Sequence, residues 1–463
     1  MAVYAIVLAA GKGTRMNSDL AKVLHRAAGR TLLDWMLASV ADLEPERVVV
    51  VVGHQAEAVA ADLPSGVEAV RQQPQNGTGH AVQVAMAHLG ELAPDDVVVV
   101  GYGDTPLVPS AVYRDLATRA GASAAAMVTV DPGEPGTGRV LRDQTGKVQG
   151  IIEERDCDPE LVMITERNAG IYAFRAPALV AALDQLRPDN SQGELYLTDV
   201  IAVLVTAGES VDVVAAQPDD VIGVNSHEQL AMVQERVRRR INSELMQSGV
   251  WMLDPDRTYI DAGTTIAPGA RIYPGTYLQG SSSVGEGAQV GPDSFVVDSS
   301  IAAGATVWYS VVRQSIVGEE ADVGPFASLR PGTVLERSAK AGTFVETKNT
   351  TIGPRAKVPH LAYMGDATIG EGANVGAGSI TCNYDGYDKH STVIGADAFI
   401  GSDTMLVAPV TIGDGAVTGA GSVITTDVEA GALAVERSPQ QDIPGYADRR
   451  AASRRSRDAE EGT

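Results

Sequence analysis

The residues best suited to chemistry lie in three places. The first is the run Leu8-Ala9-Ala10-Gly11-Lys12-Gly13-Thr14-Arg15-Met16. Small residues there let backbone N–H groups face an anion such as a triphosphate, and Arg15 and the later Lys22 can offset its charge. The run is not a Walker loop, which needs Gly-x-x-x-x-Gly-Lys-Ser/Thr, and it is not a dinucleotide fingerprint, because Met16 stands where the third glycine belongs. Taken alone it also fits a tight strand-to-helix turn with solvated cations. The second place is Tyr102-Gly103-Asp104, where a carboxylate follows an apolar run. Asp104 alone reads equally as a turn residue before Pro106. The third is Lys357-Val358-Pro359-His360-Leu361-Ala362-Tyr363-Met364-Gly365-Asp366, where His360 disturbs a regular repeat. Neutral imidazole accepts protons near pH 7, although an isolated histidine in such a repeat is usually structural.

Two kinds of element must position these groups. Up to about residue 225, short apolar runs (Val3–Leu8, Val48–Val52, Val97–Val100, Ala125–Val130) alternate with helical stretches such as Leu32–Val40 and Ala81–Leu89. Continuous apolar strands between helices predict an α/β sheet covered on both faces. Ligands of such sheets sit beyond the carboxyl ends of the strands, which is where Gly11–Arg15 and Tyr102–Asp104 fall. From Ile260 the pattern changes to a six-residue period. Aliphatics recur at Ile260, Ile266, Ile272, Leu278, Val284, Val290 and Val296, and the phase resumes at Val317, at Ile352 and Val358, and from Ile394 to Ile412. A small residue often stands four places after the aliphatic. This is a hexapeptide β-helix signal, with the aliphatic pointing inward and the small residue turning the corner. Thr381–Val393 breaks the period and reads as an external loop.

Between the two patterns, Ser226 and Gln229 fit a capping box. Leu230, Val233, Val237, Ile241 and Leu245 follow at helical spacing, with Arg236 and Arg238–Arg240 expected on the solvated side. The expected organisation is therefore residues 1–225, a linker helix over 226–250, a β-helix over 251–447, and a disordered tail over 448–463, where clustered arginines precede Asp-Ala-Glu-Glu.

Composition narrows the function classes. The 463 residues carry 36 Lys plus Arg against 59 Asp plus Glu, a net charge of −23. Generic nucleic-acid surfaces are basic, and anionic membranes repel such a chain. A hydrophobic fraction of 44% predicts packed cores. Cys157 and Cys382, far apart in sequence, support neither a disulfide framework nor a cysteine zinc site. The cysteine usage fits an expected cytoplasmic chain, and the apolar start, which lacks a basic segment, reads as a buried strand feeding a glycine loop.

The glycine run resembles the nucleotidyltransferase signature of sugar-1-phosphate pyrophosphorylases, Leu-x-x-Gly-x-Gly-Thr-Arg-Met followed by a lysine, here Lys22. The resemblance places Leu8, Ala9, Ala10 and Gly11 at the nucleotide. It gives Gln72, Gly77 and Thr78 to the base, and Tyr102, Gly103 and Asp104 to the metal-bearing segment. Gly138, Glu153 and Asn168 fall on the sugar side, and Asn225 becomes the second Mg²⁺ ligand beside Asp104. With the hexapeptide half included, the chain from about Val3 to Pro444 resembles the bacterial bifunctional N-acetylglucosamine-1-phosphate uridylyltransferase / glucosamine-1-phosphate acetyltransferases. This implies a Rossmann-like nucleotidyltransferase domain, a linker helix and a left-handed parallel β-helix closing as a homotrimer, the left hand opposing the usual crossover rule.

The implied substrates are glucosamine-1-phosphate, acetyl-CoA, N-acetylglucosamine-1-phosphate and UTP, and the product is a precursor of cell-wall polymers. His360 becomes the general base of acetyl transfer, with Tyr363 and Asn374 at the sugar and oxyanion side. Arg330 and Lys348 match cations that bind the sugar phosphate. Ala377, Asn383, Tyr384, Ser402, Ala420 and Arg437 match sugar and acetyl-CoA contacts. The chain departs from the family pattern at Pro359, where a small residue is common, and at Ala362, where a hydroxyl is common. The rival readings are a single-activity pyrophosphorylase with a β-helix used only for assembly, and a non-catalytic scaffold. His360, Lys348, Arg330, Asn383 and Tyr384 argue against the first, and Arg15, Lys22, Asp104 and Asn225 against the second.

Overall fold

The computed structural model describes residues 1–133 and 136–460, so positions 134–135 and the last three residues of the expected tail lie outside it. The chain divides into two compact units, residues 1–244 with 259–263, and residues 245–258 with 264–463.

The first unit is built on one twisted sheet. Val3–Ala9 lies at its centre, paired in parallel with Arg47–Val52 on one side and Val97–Tyr102 on the other. The chain fills the first side and then crosses to the second, so the switch point of this open sheet lies beside Val3–Ala9. Beyond Val97–Tyr102 the sheet is mixed: Arg167–Arg175 runs antiparallel to both Val97–Tyr102 and Ala125–Val130. The central valines are fully buried because helices cover both faces; Ile6 and Val98 pack to one side, Val7 and Val99 to the other. The helix Leu32–Ala41 starts from a capping box in which Thr31 and Asp34 exchange hydrogen bonds.

The helix His227–Gln247 belongs to this unit over most of its length. Leu230, Val233 and Val237 pack with Met16, Leu32, Leu107 and Val224. Of the arginines expected on its solvated side, Arg239 is exposed beside Glu235, whereas Arg236, Arg238 and Arg240 are half-buried against the body. Arg236 pairs with Asp219 at 2.5 Å, Arg240 donates to the Leu107 carbonyl at 3.1 Å, and the Arg238 guanidinium lies 5.1 Å from the Tyr259 ring centre. The helix is narrow in apolar width, so its cationic flanks also touch the body.

The second unit is a parallel β-helix of three sheets with eleven, ten and nine strands. Successive rungs stack in register, Ile272 on Val290 and Val290 on Val307 in one sheet, Val284 on Ile301 and Ile301 on Val317 in another. The apparent gap in the period after Val296 is filled by Ile301, Val307 and Val312, each fully or almost fully buried. Three of the four steps from Val296 to Val317 are five residues long, so the inward side chain keeps its place while a corner loses one residue. The small residues form a corner column, with Ala270, Ala288, Ala305, Ala321, Ala339, Ala356 and Ala373 almost wholly buried. At another corner, serine hydroxyls take up backbone N–H groups that a tight turn strands: Ser299 N–H donates to Ser282, and Ser315 N–H to Ser299. The expected external loop is shorter than its predicted bounds, since Ile380–Cys382 and Thr392–Ile394 are rungs.

The tail differs from expectation. Tyr446–Glu460 forms a helix, exposed throughout residues 446–457. Alanine and arginine favour local helix even where nothing packs against it.

Candidate functional site

The first site opens at the carboxyl ends of Val3–Ala9 and Val97–Tyr102. A cavity of about 520 Å³ is lined there by Leu8, Ala9, Ala10, Gly11, Lys12 and Lys22 from the glycine run. Gln72, Gly77, Thr78, Tyr102 and Asp104 complete it, joined by Gln75 and Glu194, which no motif had marked. The loop mouth is held by Gln75, whose amide donates to the Ala10 carbonyl at 2.6 Å. Gln72 donates to the Gly77 carbonyl at 2.9 Å, and the Thr78 hydroxyl accepts the Leu197 N–H at 3.0 Å. These bonds fix the segment expected at the base. Gly103 supplies tight backbone packing, since a Cβ there would meet Leu33 at 3.1 Å.

Asp104 and Asn225 arrive from segments far apart in sequence. The Val224 N–H donates to the Asp104 carbonyl at 2.9 Å, which ties the two segments together. Gln229 completes the arrangement. Its backbone N–H donates to the Ser226 hydroxyl at 3.2 Å, and its side-chain oxygen accepts the Asn225 N–H at 2.7 Å. The capping residue thus also positions a candidate ligand, a role that spacing did not reveal. The Lys22 ammonium donates to the Asp104 carboxylate and, at 3.2 Å, to Asn225 Oδ1. One cation therefore already satisfies both oxygens. A carboxylate and a carboxamide oxygen form a hard donor set that suits Mg²⁺ with water and phosphate completing its shell. Among the described residues, no group of three or more His, Cys, Asp or Glu side chains is placed to hold a metal ion.

A neighbouring cavity of about 190 Å³ is lined by Arg15, Asn168 and Asn225, with Arg167 and Thr137. Gly138 accepts the Asn168 N–H at 2.8 Å and lies beside Glu153, whose Oε1 is 3.5 Å from where a Gly138 Cβ would stand. Asn168 is partly committed to structure, because its carboxamide donates to the Tyr172 hydroxyl at 2.6 Å. Burial raises the Glu153 carboxyl above its ordinary range, and burial also raises the Tyr102 hydroxyl, reinforced by Glu153 and Asp104.

The second site lies on the β-helix. Arg330, Lys348 and Gly365 occupy successive coils of one sheet: Arg330 N–H donates to the Thr347 carbonyl, and Lys348 pairs with Gly365. Lys389, on the external loop and unmarked by any motif, joins them. Its ammonium lowers the pKa of Lys348, helped by the charge of Arg330. Mutually repelling cations held together are suited to an anion that relieves them. Asp366 sits against this cluster. Burial pushes its carboxyl up, but Asn349 and Asn383, donating at 2.8 and 2.5 Å, and the two lysines hold it below the usual range. A Cβ on Gly365 would stand 2.5 Å from Tyr363 Oη and 2.7 Å from Asn383 Nδ2, so a side chain there would displace both groups. Tyr384 is exposed, and its hydroxyl donates to the Gly386 carbonyl at 2.6 Å.

His360 ends the strand Lys357–His360, where it pairs with Thr343 and is exposed. Pro359 fits inside this strand, and Ala362 is buried at the following corner with its carbonyl accepting the Glu346 N–H at 3.0 Å. Continuing the registers Lys357–Asn374, Asn374–Phe399 and Phe399–Val417 puts His360, Ala377, Ser402 and Ala420 in one column down the helix. Arg437 closes the column, donating to the Ala420 carbonyl at 2.8 Å.

Comparison with known proteins covers both units. Residues 5–199 match the MobA-like NTP transferase domain, and residues 391–426 match the bacterial transferase hexapeptide family of six repeats. A Streptomyces avermitilis protein named bifunctional protein GlmU is 47% identical over 453 residues, covering 96% of this chain and 94% of that protein. A protein of the same name from Pelotomaculum thermopropionicum is 47% identical over 451 residues, covering 96% and 98%. One from a Mycobacterium species is 46% identical over 478 residues, covering 98% and 95%. This chain belongs to the GlmU family. Membership extends over both units, and the GlmU fold of a nucleotidyltransferase domain followed by a left-handed β-helix of hexapeptide repeats accounts for the three parallel sheets. Among the described residues, no helix is long and apolar enough to cross a membrane.

Proposed function

We propose that this enzyme makes UDP-N-acetylglucosamine by two consecutive transfers, one in each unit. The β-helix, over residues 251–447, acetylates glucosamine-1-phosphate. His360 takes the proton from the amine as nitrogen attacks the thioester carbon of acetyl-CoA, and the coenzyme leaves as thiol. Tyr363, Asn374 and backbone amides attend the sugar and the developing oxyanion. Arg330 and Lys348 hold the sugar phosphate, with Asn383 and Tyr384 beside it. Ala377, Ser402, Ala420 and Arg437 receive the coenzyme.

The N-terminal unit, over residues 1–225, joins the product to UMP. A phosphate oxygen of N-acetylglucosamine-1-phosphate attacks the α-phosphorus of UTP, and pyrophosphate leaves opposite. Both reactants are anions in a chain of net charge −23, so positioning and charge neutralisation are the main tasks. The Gly11 loop, Arg15 and Lys22 face the triphosphate. Gln72, Gly77 and Thr78 hold the base, and Gly138, Glu153 and Asn168 the sugar. Asp104 and Asn225 would hold Mg²⁺, which supplies charge neutralisation at the phosphates.

The observation that carries this reading is the meeting of Lys22, Asp104 and Asn225 at the glycine loop, with Lys22 and Asn225 separated by 203 positions. A turn lysine and a turn aspartate need no such convergence. The exposed ladder Tyr309, Phe326, Phe344 and Leu361, 40 to 63% accessible, supports a homotrimer, because such a surface is stabilised by self-association. On this reading the enzyme is cytoplasmic.

The test is one incubation with glucosamine-1-phosphate, acetyl-CoA, UTP and Mg²⁺, following free thiol and pyrophosphate separately. Both should appear, with pyrophosphate depending on acetyl-CoA. His360→Ala should lose at least about a hundredfold in thiol release while still making pyrophosphate from added N-acetylglucosamine-1-phosphate. Asp104→Ala should show the reverse, with pyrophosphate release down at least about a hundredfold in a folded protein. Flat thiol with normal pyrophosphate in the unaltered enzyme would demote the β-helix to a scaffold.

A further inference from the structure

The Lys22 ammonium touches the same two oxygens that are assigned to the metal. It donates to the Asp104 carboxylate and, at 3.2 Å, to Asn225 Oδ1. The Lys22 and Asp104 side chains are only 14% and 15% exposed. A carboxylate withdrawn from water this far needs a cation beside it. The lysine stem is also placed by the glycine loop. Gly13 has φ +59°, and a Cβ on it would stand 2.8 Å from Lys22 Cβ, so the bare loop backbone is what lets the stem pass. Lys22 lines the same cavity as Gly11 and Lys12. The ammonium can therefore leave the carboxylate for a phosphate without leaving the cavity.

From this we infer that Lys22 is a resident counter-cation that occupies the divalent-metal position until a nucleotide arrives. Lys22 keeps Asp104 and Asn225 converged and competes with free metal for them. An incoming triphosphate offers the ammonium a stronger anionic partner and releases the two oxygens. Metal entry is thereby linked to nucleotide entry, and by reciprocity nucleotide affinity is linked to the metal. This rests on the reading of Asp104 and Asn225 as the metal pair. Lys22 is in this sense a positioning residue as well as a phosphate contact.

The test is the affinity of the full chain for Mn²⁺ without nucleotide, read from loss of the free-ion electron paramagnetic resonance signal. Lys22→Met should bind Mn²⁺ at least tenfold more tightly than the unaltered enzyme. Lys22→Arg, which keeps the charge, should stay within about twofold. Circular dichroism of both variants checks folding, and the charge-retaining variant separates competition from repacking. Equal or weaker Mn²⁺ binding by a folded Lys22→Met would overturn the inference. A separate arm adds the α,β-methylene analogue of UTP to the unaltered enzyme and to Asp104→Asn. If Mn²⁺ bound the two complexes equally, the metal pair itself would be wrong, whatever Lys22 does.

Discussion

Glu153 stands just after the strand Val148–Ile152, close to Gly138, and burial, with the charges of Asp199 and Asp156 behind it, raises its carboxyl pKa. A carboxyl whose folded pKa exceeds its unfolded value binds its proton more tightly in the folded state. Its contribution to stability is therefore lost as pH rises from about 4.3 through the folded value. Glu153→Gln removes that loss. The expected outcome is a melting midpoint raised by on the order of 2 °C at pH 8, little changed at pH 4, with a higher KM for the sugar phosphate. Parallel midpoint-against-pH curves for the two proteins would contradict this.

At the level of elements, the β-helix depends on the pairing of one large inward side chain with one small corner residue. Ala339 is fully buried at such a corner, and its N–H donates to the Glu336 carbonyl at 3.1 Å. Ala339→Leu adds three carbons to a column that has no room for them. A destabilisation of about 1–3 kcal/mol is expected, seen as a lower urea midpoint for the β-helix transition. Val423→Leu, on an exposed rung position, should leave that midpoint unchanged. The hexad pattern was legible because each coil repeats the same inward position. The five-residue steps after Val296 were not, because stacking against neighbouring rungs, rather than local spacing, decides which side chain points inward.

For the whole molecule, the coil flanks carry an apolar ladder that water covers in one copy, while the chain as a whole repels its like through a charge of −23. In the homotrimer proposed above, burying the ladder between copies would outweigh that repulsion at physiological salt, where surface charges are screened beyond about 8 Å. Light scattering should therefore give three times the monomer mass. Phe326→Asp with Phe344→Asp should yield smaller species that keep pyrophosphate release but lose thiol release. A monomeric mass for the unaltered protein would contradict the trimer.

The glycine run, the Tyr102–Asp104 segment, the alternation of strands and helices and the six-residue period were all readable from the sequence. Each rests on local constraints, a backbone that must face an anion or a side chain that must turn inward. Tertiary structure decided the rest. Gln75 and Glu194 join the nucleotide cavity only because the sheet brings their loops to the same edge. Lys389 joins Arg330 and Lys348 only because the external loop folds back beside them. Gln229 looked like a cap and proved to hold Asn225 as well. Arg236 and Arg240 of the long helix looked solvated and proved to grip the body beneath. A contact between residues distant in sequence leaves no periodic trace in the chain, so only the folded arrangement reveals which charges meet.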